Sequence, residues 1–218
     1  MKYVAFGDIH GCNDELTLLL EKVKNEVSNE ATYIFLGDYI DRGPDSSKVI
    51  ETLIRLSEEK ECVFLRGNHE QMALEADLEP YHNRAHWLMN GGLETEKSFE
   101  HNMISPEAFK FIRRTQMYFE TEKYFFVHAG VHPSLTLEEQ DREDFLWIRK
   151  TFLNHVGNNA IGKIVVHGHS VESLNKPTIT SNRINLDTGC VFGGHLTAAI
   201  FNQEDVKIIQ HKSKFSWV

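Results

Sequence analysis

Apolar positions in the first third of the chain alternate between two spacings. Short apolar runs with the character of buried strands occupy residues 3–6, 32–36 and 62–65. Apolar residues that recur every three or four positions predict helices over residues 13–27, 44–56 and 70–78. Asn13 is the expected cap of the first helix. This order of strands and helices predicts right-handed βαβ units and a sheet covered by helices.

The remainder of the chain is richer in strand patterns. Residues 79–104 are polar and predict an irregular segment, and the pair Ser105-Pro106 predicts the start of another helix. Five further apolar runs lie at residues 124–127, 161–166, 183–186, 196–201 and 206–210. They predict a second sheet, mixed or antiparallel, that packs on the first.

The expected fold class is therefore α/β, or α+β in some schemes, with two packed mixed sheets flanked by helices. In open sheets of this kind ligands bind beyond the carboxyl ends of the strands. The sequence contains no linker, repeat or low-complexity segment. We expect residues 1–218 to form a single domain.

Composition narrows the class of protein. The chain has 41% hydrophobic and 25% charged residues, which is ordinary for a soluble domain, and no apolar stretch approaches the ~20 residues of a membrane span. Its net charge of −9 disfavours binding to nucleic acid. The first polar motif starts at Gly7, so a signal peptide is not expected. The three cysteines are far apart in sequence, which disfavours a disulfide framework or a cysteine zinc site and indicates the cytoplasm.

Each of the first three predicted strands is followed by a motif that can supply metal ligands. The motifs are Gly-Asp-Ile-His-Gly at residues 7–11, Gly-Asp-Tyr-Ile-Asp-Arg-Gly at 37–43 and Gly-Asn-His-Glu at 67–70. Any one of them alone is as well explained by a polar turn. Three in order, each at a strand end, indicate a two-metal hydrolytic site, because such sites combine hard oxygen ligands with imidazole nitrogens.

Two later histidines complete the candidate ligand set. His128 and His169 each follow a predicted strand, and they would fill a second metal shell that the upstream motifs leave incomplete. His167 shares a motif with His169, but we expect it to support or pack, and Cys12 is also expected to pack. Arg42 and Arg66 lie in or beside the motifs, and arginines near metals point to a phosphate ester as substrate.

The ordered motifs resemble the phosphoprotein phosphatase branch of the calcineurin-like metallophosphoesterases. The resemblance is closest to the small bacterial and phage-type serine/threonine protein phosphatases, and it covers most of the chain. Further matches are Gln71-Met72, His86-Trp87-Leu88, Asn90-Gly91-Gly92, Trp147-x-Arg149, Asp187-Thr188-Gly189 and Val191-Phe192. The fold that this resemblance implies is a β-sandwich flanked by helices.

The resemblance also implies a role for each site residue. The metal ligands would be Asp8, His10 and Asp38 for the first ion, and Asp38, Asn68, His128 and His169 for the second, with Asp38 bridging. The phosphoryl oxygens would be bound by Arg42, Arg66 and Arg149. His69 would be the general acid, oriented by Asp41. The implied cofactors are two divalent ions, with Mn²⁺ expected in vitro and Fe or Zn²⁺ equally compatible with the ligands.

The implied reaction is hydrolysis of a phosphomonoester by a hydroxide that the two metals share, without a covalent phosphoenzyme. The expected substrate is a phosphoprotein or phosphopeptide and the product is free phosphate; no nucleic acid or membrane partner is expected, and the oligomeric state is left open. A symmetrical dinucleoside tetraphosphate hydrolase is the alternative enzyme, although Asp41 and Glu70 favour the protein phosphatase branch. A non-catalytic phosphopeptide-binding scaffold is the alternative of another class, and the complete set of ligands, acid and arginines argues against it.

Overall fold

The computed structural model describes residues 2–27, 31–202 and 205–215, and it places ten strands in two sheets. The strands are β1 (Lys2–Phe6), β2 (Ala31–Phe35), β3 (Cys62–Phe64), β4 (Tyr118–Glu120), β5 (Tyr124–Val127), β6 (Ile164–His167), β7 (Thr178–Ile179), β8 (Arg183–Asn185), β9 (His195–Phe201) and β10 (Val206–Lys212). The first sheet has the order β10-β9-β1-β2-β3 and the second β4-β5-β6-β8-β7.

Both sheets are mixed. In the first, β1, β2 and β3 run parallel, and β9 pairs antiparallel with both β1 and β10. In the second, β5, β6 and β8 run parallel between the antiparallel strands β4 and β7. The predicted architecture of two mixed sheets flanked by helices is thus confirmed. Parallel central strands in both sheets explain why the polar loops gather at one edge.

Strand β1 shows how the core is divided. Val4 and Phe6 pack in the cluster beneath the helices, whereas Ala5 faces the cluster between the two sheets. All three side chains are fully buried. Alternate residues of a strand point to opposite faces, so a central strand that is apolar at every position must be covered on both sides. The apolar run at residues 3–6 is the sequence signature of that arrangement.

Eight helices flank the sheets in the part of the chain that is described. They are α1 (Asn13–Lys24), α2 (Ser46–Glu59), α3 (Asn68–Leu78), α4 (Pro80–Trp87), α5 (Leu93–Ser98), α6 (Pro106–Arg113), α7 (Arg142–Trp147) and α8 (Lys150–Leu153). Ser105 caps α6 as predicted, accepting a hydrogen bond from the amide of Ala108 at 3.2 Å. Asn13 does not cap α1: it is the first helical residue, and its side chain accepts from Thr52 at 3.0 Å instead.

The prediction that residues 79–104 are irregular is wrong. This segment consists of α4, a kinked turn (Leu88–Gly92), α5 and a second kinked turn (Glu100–Asn102). Each of the two α-helices buries one residue, Trp87 in α4 and Thr95 in α5. A helix anchored at a single buried position leaves no apolar stripe in the sequence, so periodicity could not reveal it. Within the described residues, no helix combines the length and apolar character needed to cross a membrane.

Candidate metal centre

The predicted ligands lie in the loops that follow β1, β2, β3, β5 and β6, at one edge of the molecule. Among the described residues, two groups that share Asp38 bring three ligand atoms within 4.8 Å of one another. One group joins Asp38 to His10 and His69, and the other joins it to His128 and His169. A carboxylate common to two clusters is the arrangement expected of a bridging ligand.

In the second cluster, side-chain atoms that can bind a metal face one another. His128 Nε2 lies 2.9 Å from Asn68 Oδ1 and 3.2 Å from His169 Nδ1, and Asn68 Oδ1 is also 2.9 Å from His169 Nδ1. His128 Nδ1 donates to the carbonyl of Leu36 at 2.9 Å, which leaves a lone pair on Nε2. Asp38 Oδ1 is 3.4 Å from the same Nε2. A divalent cation could accept the lone pairs that lie close together here, so these residues fit a metal.

The first cluster is built in the same way around His10. Its Nδ1 donates to the carbonyl of Ile40 at 2.8 Å, so Nε2 carries a lone pair, and Nε2 lies 3.4 Å from Asp38 Oδ2. Arg42 donates a hydrogen bond to this nitrogen. The Asp8 carboxylate stands beside the cluster and accepts from the main-chain amide of His169. These groups offer two carboxylates and one imidazole to a cation.

The protonation states of Asp38 and of three histidines suit metal binding, whereas burial, aided by the charges of Asp187 and Asp38, raises the pKa of Asp8. Burial would raise the pKa of Asp38, but the facing His69, whose own pKa is raised, holds it below its ordinary value. Burial lowers the pKa values of His10 and His128, and together with His128 it lowers that of His169 to about 2. Neutral imidazoles around an ionised carboxylate are the forms that metals bind.

The backbone of the site is strained. Five site residues have positive φ angles, namely His10 at 45°, Asp38 at 53°, Asp41 at 73°, Arg42 at 68° and His169 at 65°. Such conformations are uncommon outside glycine and persist where the surroundings fix them. Glu70 supplies part of that fixation, because its carboxylate accepts from the amides of Asp38 (2.8 Å), Tyr39 (2.8 Å) and Gly67 (2.9 Å).

Two motif glycines allow the backbone to approach the carboxylates. A Cβ atom on Gly168 would lie 1.9 Å from Asp8 Oδ1, and one on Gly67 would lie 2.1 Å from Asp38 Oδ1. Any side chain there would displace a predicted ligand. The glycines that precede His169 and Asn68 are therefore required by contact with the metal centre.

Asp41 and His69 form a buried pair next to the clusters. His69 Nδ1 donates to Asp41 Oδ2 at 2.7 Å, and the two side chains are 1% and 0% exposed. The opposite nitrogen, Nε2, faces the metal centre 3.9 Å from Asp38 Oδ2. Burial opposes protonation of His69, but the carboxylates of Asp38 and Asp41 outweigh it and raise the pKa of the imidazole. The pair can hold a proton at Nε2.

The three predicted arginines differ in their surroundings. Arg42 stacks on the ring of Phe192 at 5.5 Å, and Arg149 Nη1 donates to the carbonyl of His169 at 3.2 Å, so both lie at the metal centre. Arg66 is held mostly by protein oxygens. Its guanidinium donates to the hydroxyl of Thr115 at 3.0 Å, to Gln71 at 3.2 Å, and to the carbonyls of Arg113 and Thr115 at 3.1 Å each. One N–H of its five donors is left for a ligand.

Several residues of the site have no predicted role. Asp187 is 6% exposed, and burial, aided by the charge of Asp38, raises its pKa to about 6. Trp87 and Thr95 both donate to Asp41. Family matches at Asp187-Thr188-Gly189 and Trp87-Leu88 pointed to these regions of the sequence. The spacing of the residues gave no indication of which site residues they contact.

Two further predictions concern residues behind the site. His167 Nδ1 donates to the carbonyl of Gly168 at 3.0 Å and its ring packs edge-on against Phe152, as expected of a packing residue. All three cysteines are free, yet Cys12 and Cys190 lie together with Glu15 in a buried group. Their separation in sequence gave no indication of this contact.

The sequence model of the calcineurin-like phosphoesterases matches residues 1–211. The chain belongs to this family. Calcineurin-like phosphoesterases use a dimetal centre, and the two clusters joined at Asp38 are groups that could hold its metals. This member of the family is accordingly a dimetal phosphoester hydrolase.

Relatives of this phosphoesterase include both proteins named as nucleotide hydrolases and a protein named as a protein phosphatase. It is 29% identical to the asymmetrical bis(5'-nucleosyl)-tetraphosphatase PrpE of Oceanobacillus iheyensis, over 99% of this chain and 94% of the relative. It is 33% identical to serine/threonine-protein phosphatase 1 of Salmonella typhimurium, over 88% of each chain. Among solved structures, a putative diadenosine tetraphosphatase superposes with a TM-score of 0.72 at 24% identity, over 97% of this chain and 93% of that chain. The last likeness concerns the fold alone.

Proposed function

We propose that this phosphoesterase hydrolyses phosphomonoesters of alcohols, with phosphoserine and phosphothreonine in proteins as its substrates. The observation that carries the proposal is the buried Asp41–His69 pair, with its 2.7 Å hydrogen bond and the raised pKa of the imidazole. The alkoxide of serine or threonine leaves poorly unless it is protonated. A proton held at His69 Nε2, facing the metal centre, meets that need.

The other predicted residues have compatible roles. Asp8, His10, Asp38, Asn68, His128 and His169 would hold two divalent ions, of which Mn²⁺, Fe and Zn²⁺ all suit the donor set. Such ions supply positive charge and an activated water. Arg42 and Arg149 would bind the phosphoryl oxygens and stabilise the charge that grows on them in the transition state. Arg66 would contribute its one remaining donor and otherwise brace the loop after β3.

A second candidate function is hydrolysis of a dinucleoside tetraphosphate, because relatives named asymmetrical bis(5'-nucleosyl)-tetraphosphatase PrpE cover nearly the whole chain. The leaving group there is a nucleotide phosphate, which departs as a stable anion near neutral pH. That reaction has little need of a proton donor. The alternative therefore makes little use of the buried Asp41–His69 pair as a proton donor.

A direct comparison of substrates tests the proposal. The Mn²⁺-reconstituted protein is assayed on a phosphoserine peptide and on diadenosine tetraphosphate, with kcat/KM measured for each and the nucleotide products identified. We expect the higher kcat/KM on the peptide. A higher kcat/KM on diadenosine tetraphosphate would replace the proposal with the second candidate, and the nucleotide products would then show whether cleavage is symmetrical. Metal bound without turnover of either substrate or of p-nitrophenyl phosphate would indicate a binding scaffold.

A further inference from the structure

Asp41 and Arg42 form an unusual turn. Both are non-glycine residues with left-handed backbones, at φ angles of 73° and 68°. Two such residues in succession are unfavourable unless their surroundings hold them. Residues 87–95 hold them, together with Ser46, whose hydroxyl accepts from the Asp41 amide at 3.1 Å. This segment spans the end of α4, a kinked turn at Leu88–Gly92 and the start of α5.

This segment contacts the turn at three places. Trp87 Nε1 donates to both oxygens of the Asp41 carboxylate, at 3.1 Å and 2.9 Å. Thr95 Oγ1 donates to Asp41 Oδ1 at 2.6 Å and accepts from the Asp41 amide at 2.8 Å. The carbonyl of Gly91 accepts from the Arg42 amide at 3.2 Å. The segment thus binds the side chain of one residue and the backbone of both.

The Asp41 carboxylate is fixed from all sides by these contacts. Trp87 is 4% exposed, and Thr95 and Asp41 are fully buried. Oδ1 accepts from Thr95 and Trp87, and Oδ2 accepts from Trp87 and from His69 Nδ1. A carboxylate that accepts at this many positions cannot rotate without breaking bonds to buried donors, each of which is costly to leave unpaired.

A kink at Gly91, between α4 and α5, sets the position of the donors. Gly91 has a φ angle of 108°, and a Cβ atom there would lie 2.7 Å from the amide nitrogen of Arg42. A Cβ atom on Gly92 would lie 2.5 Å from the Trp87 ring. The two glycines therefore let the segment close on the turn and on its own tryptophan.

We propose that Trp87 and Thr95 are positioning residues for proton transfer. Their side chains hydrogen-bond to Asp41 and to none of the predicted metal ligands. They fix the Asp41 carboxylate, which in turn fixes the His69 ring so that Nε2 faces the leaving group. The inference rests on the proposed role of His69 as general acid. It assigns a purpose to residues 87–95, whose polar sequence predicts only an irregular loop.

The test uses variants that keep shape and remove one donor. Thr95→Val removes the hydroxyl, Thr95→Ser restores it, and Trp87→Phe removes the indole N–H. Thr52→Val is the matched control, because Thr52 is a buried helical threonine whose hydroxyl donates to Asn13. Each Mn²⁺-reconstituted variant is assayed on phenyl phosphate, whose leaving group needs a proton, and on p-nitrophenyl phosphate, whose leaving group scarcely does.

We expect Thr95→Val and Trp87→Phe to lower kcat on phenyl phosphate by roughly ten- to a hundredfold, the effect of one hydrogen bond to a charged group, with KM unchanged. The loss on p-nitrophenyl phosphate should be less than about threefold. Thr95→Ser and Thr52→Val should resemble the wild type. Metal content and circular dichroism are measured for every variant. Because the two donors reach Asp41 from different helices, either variant that folds can test the positioning role.

His69→Asn separates failure of this inference from failure of the proposed function. If His69→Asn is selectively impaired on phenyl phosphate but Thr95→Val and Trp87→Phe are impaired equally on both substrates, the positioning role is wrong and the acid role stands. If His69→Asn itself shows equal losses on both substrates, the acid assignment is wrong and the inference falls with it.

Discussion

The main-chain amide of His169 donates to both carboxylate oxygens of Asp8, at 3.2 Å and 3.0 Å. Asp8 follows a strand of the first sheet and His169 a strand of the second. One predicted ligand therefore fixes the position of another through its backbone, while its own imidazole is directed to the second cluster. This contact couples the two halves of the candidate metal centre.

Asp38 should be indispensable to the metal centre because both clusters depend on it. We expect Asp38→Asn to lose metal and phosphatase activity together, since the amide offers one weaker oxygen where the carboxylate offers two. Elemental analysis of Mn²⁺-reconstituted protein should give close to two metals per chain for the wild type and fewer for the variant. Asp77→Asn, which alters only a surface pair with Arg113, is the control. Retention of both metals by Asp38→Asn would exclude the bridging role.

The arginines should separate into two groups when phosphate binding is measured. Arg42→Ala and Arg149→Ala should weaken inhibition by phosphate and vanadate by roughly ten- to a hundredfold, the value of a hydrogen bond between charged groups. Arg66→Ala should have a smaller effect on inhibition and lower the melting temperature, because most of its donors bind protein oxygens. Arg55→Ala on the outer part of α2 serves as control. Equal inhibition constants for the wild type and Arg42→Ala would remove Arg42 from the phosphate site.

General acid catalysis should make His69 matter most for poor leaving groups. We expect His69→Asn to lower kcat by ~10²–10⁴-fold on a phosphoserine peptide and far less on p-nitrophenyl phosphate, with metal content unchanged. Asp41→Asn should show the same selectivity to a smaller degree, because it acts through His69. Steady-state kinetics on the two substrates measures the effect. A uniform loss would mean that His69 serves the metals or the phosphate.

Glu70 should be a stabilising residue of the strained loop. Its carboxylate accepts from four main-chain amides, those of Asp38, Tyr39, Ile40 and Gly67. Glu70→Gln places an amide NH₂ against some of these donors, which should lower the free energy of unfolding by about 2–4 kcal/mol. Denaturant unfolding measures the change, with the exposed Glu51→Gln as a matched control. An unchanged stability would show that the loop is held by other contacts.

The ion pair of Glu172 with Arg183 should make stability depend on acid pH. Hydrogen bonds from Arg183 lower the pKa of Glu172 to about 2, below its ordinary value of 4.5. Because the folded pKa is depressed, the stabilisation is fully present above pH 4.5 and is lost as the pH falls toward 2. Glu172→Gln should cost about 1 kcal/mol at pH 7, discounted for partial exposure, and almost nothing near pH 2. Urea unfolding at several pH values measures the difference in free energy of unfolding between the wild type and Glu172→Gln. A difference that grew as the pH fell would contradict the prediction.

The fold class and the candidate ligands could be predicted from the sequence, because the polar motifs directly follow strands that are buried. The central strands are apolar on both faces, which predicted the fold class. The ligand motifs begin where those strands end, which predicted the candidate ligands. Strands β4 and β7 were not predicted, because they are short, half-exposed edges without an apolar pattern. Trp87 and Thr95 were also missed as partners of Asp41. Their helices bury one residue each, and a contact across more than 40 residues of sequence leaves no local signal.

The joining of Asp8 to His169 has a consequence for how the protein matures. Neither sheet carries a complete set of the predicted ligands, so high-affinity metal uptake should wait until the two sheets have packed together. Contacts between residues 161 positions apart form slowly, since a long loop has to close first. Metal binding should thus indicate that the two sheets have packed together, and a partly folded chain would have no catalytic activity.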